Sequence, residues 1–290
     1  MAGLRHGDDE GPGGAARPVR RVLVATDFSE GAAVALRRAF GIAGRHGAGV
    51  TVVHVVPRGL ADELAEAADR ELRRLVRDAP APADTALVTG AVGSVIASEV
   101  ERHQADLVVV GAHGAHWLRG AFLGSTAELV VEVSPVPVLL VKGGDTPEYS
   151  TVLSAVDASS RSFRAAQLGL ALTRGTRYVL AHAVTILGEN LLRLNGADDH
   201  AIDELRGGQL APARAEVERL AEDLTPAPSD ILVEPGRPEE VISRLAARHG
   251  ADLVVVGVEQ GAKLRRALIG SVSRHAMRGA PCDVLVVPVD

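Results

Sequence analysis

Cysteine occurs once in 290 residues, at Cys282, which excludes an intrachain disulfide and agrees with a reducing compartment. Lys142 and Lys263 are the only lysines, and neither lies in a G-x4-G-K-[ST] sequence, so a phosphoryl-transferring P-loop is unsupported. Aromatic residues make up 2% of the chain and the formal net charge is -6. With no arginine-rich run interleaved with aromatics, nucleic acid is not the expected partner. No apolar run approaches the roughly 18 residues of a membrane helix. Residues 1–18 mix Gly, Pro, Arg and acidic residues without an apolar segment, and are expected to form a disordered tail rather than a signal peptide or anchor. Nucleophile-elbow and metalloprotease patterns are missing, and no base stands poised for hydrolysis. The expectation is a soluble, cytoplasmic protein with no membrane partner, which binds rather than transforms its ligand.

What is present is a duplicated pattern. Ala105-Asp106-Leu107-Val108-Val109-Val110-Gly111 recurs 146 residues later as Ala251-Asp252-Leu253-Val254-Val255-Val256-Gly257. Gly124-Ser125 and Gly270-Ser271 each follow thirteen residues after the leading glycine. Four apolar residues in a row suit a strand covered on both faces, and the glycines suit a strand-to-helix turn where backbone approaches a ligand. Helix N-termini carry unpaired N–H groups and the positive end of the dipole, so Gly124-Ser125-Thr126 can open a phosphate cradle.

The expected units are a tail over 1–18, a first domain over 19–143, a linker over 144–150 and a second domain over 151–290. Val22 to Asp27 reads as a first strand, with Ser29 capping a helix that runs to His46 and stops at Gly47. Val50 to Val56 is a second strand, Leu60 to Val76 an amphipathic helix, and Thr85 to Val88 a third strand. A helix capped by Ser94 ends near His103. A helix from Ser125 to Val133 is broken at Ser134-Pro135, and Val136 to Val141 forms a fifth strand. Alternating strands and helices predict a doubly wound parallel α/β sheet. The second half repeats this order, but Asp27 and Asp157 are only 130 residues apart, so it carries a net sixteen extra residues. Gly188 to Leu210 reads as an elaborated loop with a short helix.

In such a sheet, ligands bind beyond the carboxyl ends of the strands where the winding reverses. Gly111, Gly114, Gly124 and Ser125 fit G-x2-G-x9-G-[ST]. Together with Thr26-Asp27-Phe28-Ser29-Glu30 and His54-Val55, they resemble the nucleotide-binding members of the universal stress protein family over nearly the whole of both repeats. The resemblance implies two Rossmann-like, nucleotide α-hydrolase-like five-stranded sheets of strand order 3-2-1-4-5, joined as an internal pseudo-dimer through their fifth strands. It implies a stress-response sensor or switch that binds ATP, with or without Mg. Asp27 and the backbone of Val55 would hold the nucleoside, while Gly111, Gly114, Gly124, Ser125 and Thr126 would surround ribose and phosphates. A second, weaker site would use Asp157, Ala183, Gly257, Gly270, Ser271 and Ser273, because Gln260 stands where Gly114 does, with Gly261 next to it. A further homodimer fits the same picture; the downstream protein partner is unnamed. The alternatives are a ligand-free interaction scaffold and a slow ATPase.

Each of these residues also has a plainer role. Asp27 and Asp157 can serve only to satisfy helix-start N–H groups, and Gly111 and Gly124 only to turn the chain tightly. His113 and His116 lack a carboxylate or cysteine at ligand spacing and are expected to face solvent rather than a metal. His54 and His182 end matched strands as core or turn residues. Trp117 packs or lies in an interface, and Arg119 and Arg265 either balance phosphate charge or are solvated.

Overall fold

A computed structural model describes residues 19–77, 79–113, 123–143, 148–260 and 267–289. The first repeat runs β1 (Arg21–Ala25), α1 (Glu30–His46), β2 (Gly49–Val56), α2 (Asp62–Arg77), β3 (Ala83–Thr89), α3 (Val92–His103), β4 (Leu107–Gly111), α4 (Ser125–Val133) and β5 (Val138–Val141). The second runs β6 (Thr151–Ala155), α5 (Ser160–Leu172), β7 (Arg177–Val184), α6 (Glu189–Leu194), α7 (Asp199–Ala221), β8 (Asp230–Pro235), α8 (Pro238–Arg248), β9 (Leu253–Gln260), β10 (Ala267–Leu268), α9 (Ser271–Gly279) and β11 (Asp283–Val289).

Within each repeat the strand order is the expected 3-2-1-4-5, all parallel. The two sets join into one eleven-stranded sheet because β5 and β11 pair antiparallel, with Leu139 opposite Leu285. The fifth strands are therefore the joint, and each covers an apolar edge that would otherwise be open to another chain. β10 is an addition without a place in the expected order: it pairs antiparallel with the end of β9.

Helices cover both faces, so the central strands are apolar on both sides instead of alternating. Val22, Val24, Leu107, Val109, Leu139, Leu253, Val255 and Leu285 point to one layer with α1 and α5. Leu23, Val108, Val110, Val138, Leu140, Val254, Val256 and Val284 point to the other with α3, α4, α8 and α9. Each layer runs unbroken across the joint.

Asp106, preceding β4, accepts the backbone N–H groups of Arg20 and Arg21 at 2.8 and 2.9 Å. Asp252 does the same for Ser150 and Thr151. The repeated Ala-Asp thus fastens the amino ends of neighbouring strands, at the opposite ends of β4 and β9 from the glycine loops.

Two details depart from the sequence reading. Ala91, not Ser94, is the N-cap of α3, and no side chain caps it. The extra residues of the second repeat are mostly helical: α6 is the expected short helix, but α7 is a 23-residue helix where a loop was expected beyond it. Gly207-Gly208 and Pro212 inside α7 weaken the helical signal, and only Ile202, Val217 and Ala221 of that helix are buried. Tertiary support on this one narrow face outweighs the local propensity.

Candidate functional site

The site begins with the turn after the first strand of each repeat. Phe28 and Ala158 hold the left-handed conformation, with φ of 62° and 59°. Non-glycine residues there are costly and are held in place by their surroundings. The holding groups are visible. Asp27 Oδ1 accepts the N–H of Ser29 at 3.0 Å, and Ser29 Oγ in turn accepts the N–H of Ala32 and caps α1. Asp157 Oδ1 accepts both the N–H and the hydroxyl of Ser159, which caps α5. Burial opposes ionisation of Asp157, but hydrogen bonds from Ser159 and Ser162 outweigh it and hold the carboxyl below its ordinary range. Both aspartates therefore do the helix-start work that was their plainer reading.

His54 and His182 complete the turns. Their Nδ1 atoms donate to the carbonyls of Thr26 and Val156, both at 2.8 Å. They are turn residues, as expected, tying the end of the second strand to the end of the first. In the first repeat the His54 ring also lies 4.3 Å from that of Phe28, a contact Ala158 cannot offer His182.

The glycines divide by function. Gly111 does not have a left-handed backbone, yet a Cβ on it would lie 3.0 Å from the backbone of Gly31. A Cβ on Gly31 would lie 2.6 Å from the carbonyl oxygen of His113. The first turn of α1 thus rests directly on the end of β4, and two glycines make that approach possible. Gly124 and Gly270 are N-caps of α4 and α9 with φ of -63° and -66°, so neither is needed for its angles, and neither helix has a side-chain cap bond. A Cβ on Gly270 would meet nothing within 4 Å. Ser125, Thr126 and Ser271 are exposed beside these helix starts, whereas Ser273 is buried and donates to the carbonyl of Gly257 at 2.8 Å.

In the second repeat these pieces meet in a cleft of about 500 Å³ beyond the carboxyl ends of β6 and β9. Asp157, Ala183, Gly257, Gly270, Ser271 and Ser273 all line it, beside apolar Ile242, Val256 and Val258. This volume lies within the range of small-molecule sites. In the first repeat Asp27, Val55, Gly111, Gly124, Ser125 and Thr126 take corresponding places at the ends of β1, β2 and β4 and the start of α4. Gly114, His116, Trp117, Arg119, Gly261, Lys263 and Arg265 lie outside the described residues, as does the tail over 1–18.

Two residues of consequence carry no signal in a glycine motif. Arg161 and Glu259 line the second cleft and form an ion pair, with both side chains about half exposed. Gly31 and His113 are their counterparts in the first repeat, at offsets of 130 and 146. Aligning the helix starts as well as the glycines would have found both substitutions. β9 also differs from β4: it runs three residues past Gly257, to Gln260, whereas β4 ends at Gly111. Glu259 is paired with Val289 on one side and Leu268 on the other.

The repeated fold and the cleft of the second repeat define a tandem doubly wound α/β protein with its candidate sites at the points where the winding reverses. The family model described as "Universal stress protein family" matches residues 18–142 and again 148–288, and the chain belongs to that family. A universal stress protein of Mycobacterium tuberculosis is 29% identical over 193 residues, covering 63% of this chain and 62% of the relative. The chain thus matches somewhat less than two thirds of that relative's length. A universal stress protein of Thermus aquaticus is 35% identical over 142 residues, covering 48% of this chain and 98% of the relative. A universal stress protein structure from Archaeoglobus fulgidus shares the fold with a TM-score of 0.67 at 20% identity, over 92% of this chain and 98% of that one.

Proposed function

We propose that the chain is a nucleotide-binding stress-response switch that takes ATP in its first repeat and has a degenerate site in its second. The observation that carries nucleotide binding is the convergence of Asp157, Ala183, Gly257, Gly270 and Ser271, scattered over more than a hundred residues, on one cleft of about 500 Å³. The chemistry is divided along it. A carboxylate at the first turn suits sugar hydroxyls, the end of the second strand offers backbone to a base, and an uncapped helix start with an exposed serine suits a phosphate.

Preference for the first repeat rests on the loop. Gly111, Gly114, Gly124, Ser125 and Thr126 keep the full spacing, with His113 inside it. ATP would be held by these groups and by Asp27 and Val55; a Mg²⁺ accompanying it would draw ligands chiefly from the phosphates. In the second repeat the strand runs on through this stretch and carries a carboxylate, Glu259, while Gln260 replaces the second glycine. No group in either described site is arranged as a base against a phosphate, so binding and release, rather than turnover, are the proposed activity.

The test is extraction. Protein purified without added nucleotide is denatured, and the released small molecules are identified by mass spectrometry. Adenine nucleotide at a substantial fraction of the protein concentration is expected. An empty extract, combined with no calorimetric response to added ATP, would instead favour a ligand-free scaffold.

A further inference from the structure

We propose that Arg161 and Glu259 make the second cleft selective for a nucleoside bearing no more than one phosphate and close it to nucleoside triphosphates. The inference rests on the nucleotide reading above and adds to it the ligand class of the second repeat.

Arg161 is the second residue of α5, in a first turn that contains no acidic residue. A cation there opposes the helix dipole, whereas α1 places Glu30 in the same turn. The side chain is tolerated because the paired Glu259 carboxylate neutralises it. Arg161 is consequently committed to a carboxylate of this chain and does not stand as a spare cation for a phosphate tail.

Glu259 falls between the two positions that are glycine in the first repeat, so its carboxylate lies in the stretch where a polyphosphate would run. It repels such a tail and would have to give up Arg161 to admit it. The backbone cannot compensate. From Gly257 to Glu259 the strand is paired with β11, and at Glu259 and Gln260 also with β10, so this segment is a ladder rather than an array of inward N–H groups.

What remains open suits a smaller ligand. Asp157 can accept from sugar hydroxyls, Ile242, Val256 and Val258 offer an apolar wall for a base, and Gly270-Ser271 opens α9 toward the cleft. That helix start has no side-chain cap and no acidic residue in its first turn, and offers room for one phosphate. The first repeat has Gly31 and His113 in place of the ion pair and no such carboxylate.

Calorimetry on the full chain tests this with two probes, ATP and AMP. ATP is expected to bind one site per chain, and the ATP-saturated chain to take up one AMP further, which Asp157→Ala removes. Glu259→Gln, a change of an exposed side chain that keeps its shape, should raise ATP affinity at the second cleft by about tenfold or more and bring ATP stoichiometry to two, with AMP affinity changed far less. An ATP-saturated wild-type chain that gives no AMP binding, or a Glu259→Gln chain still limited to one ATP, would overturn the proposal. A chain that takes one AMP, lost on Asp157→Ala, and no ATP would keep this proposal while overturning the ATP assignment of the first repeat. A chain that takes neither nucleotide overturns both.

Discussion

The first and second repeats agree in the residues that tie together the ends of the central strands, and differ at the loop where, on the reading proposed above, a ligand's phosphates would lie. Asp27 and Asp157, His54 and His182, and Asp106 and Asp252 make the same bonds in both. Gly31 and His113 become Arg161 and Glu259, and β9 runs on into a ladder with β10 where β4 stops. The contrast teaches that the motif is two things overlaid. Part of it is turn and strand architecture that both copies keep, and part, on the reading proposed above, is ligand chemistry that one copy can exchange.

The joint between the repeats is the least symmetric region, and there the largest effect is expected. Asp283 in β11 is buried, paired with Arg38 of α1 at 3.0 Å, and accepts the Tyr149 hydroxyl at 2.8 Å and the Lys142 N–H at 2.9 Å. The Arg38 guanidinium also stacks 4.5 Å from the centre of the Tyr149 ring. The corresponding positions in the other repeat are Leu168 for Arg38, Pro137 for Asp283 and Val19 for Tyr149. Asp283→Ala strands a buried guanidinium and should cost about 3–5 kcal/mol in denaturant unfolding. Adding Arg38→Leu, the residue of the other repeat, should restore most of that loss. A double variant as unstable as the single one would show that the ion pair itself, not the stranded charge, carries the energy.

The next effect sharpens the comparison of the sites. Asp27→Ala should weaken ATP binding by about 1.5–3 kcal/mol, or ten- to a hundredfold, through loss of charge-assisted hydrogen bonds to sugar hydroxyls. Asp157→Ala should leave ATP binding nearly unchanged. Because both aspartates also satisfy N-cap serines, the unfolding free energy of both variants should fall by a similar ~1 kcal/mol. Equal losses of ATP affinity would erase the distinction between the repeats.

A smaller effect separates packing from ligand binding in the glycines. Gly111→Ala puts a methyl 3.0 Å from the Gly31 backbone and should destabilise by about 1–3 kcal/mol. Gly257→Ala puts one 3.6 Å from Ala165 and Val289, ordinary contact, and should be neutral or gain roughly 0.5 kcal/mol from the stiffer strand. Thermal unfolding of the two variants decides it. Matched losses would mean that the α1 and α5 starts are packed alike.

Much of this was legible in the sequence because it rests on local rules. Ser29 and Gly47 bound α1 as a polar cap and a left-handed stop, and the runs at β4 and β9 read as strands buried on both faces. Fifth-strand pairing was implied by the family resemblance, and apolar edges that need cover agree with it. What was not legible depends on partners distant in the chain. Ser94 looks like a cap beside Gly93, but the helix has already started at Val92. α7 is specified by burial of Ile202, Val217 and Ala221 against the local preference of Gly207, Gly208 and Pro212. Gly31 is an unremarked helix residue until β4 is seen against it. Arg161 and Glu259, 98 positions apart, become a pair only when β9 and α5 meet at the cleft.

The smallest effect concerns Lys142, which has Pro288 as its counterpart and so marks one side of the joint only. Its Nζ donates to the carbonyls of Ala276 and Ala280 at 3.1 and 2.9 Å, closing the C-terminus of α9, the helix whose other end opens on the second cleft. Burial lowers its pKa from 10.5 to about 8, against the opposing pull of Cys282 and Asp283. Between these values the unfolded chain binds more protons than the folded one, so this lysine's contribution to stability rises with pH from about 8 to 10.5 and is lost as pH falls back through 8. Cys282 runs the other way: burial pushes its thiol from 9.0 up to about 12, so it lowers stability as pH rises through 9. A wild-type profile alone would mix the two. The difference in unfolding free energy between wild type and Lys142→Met isolates the lysine, and that difference should shift in favour of the wild type as pH rises from 8 to 10.5, with Cys282→Ser removing the opposing fall. A difference flat across that window would show that folding leaves the Lys142 pKa unshifted, and the constant size of that difference would then be the weight of closing α9 from the first repeat.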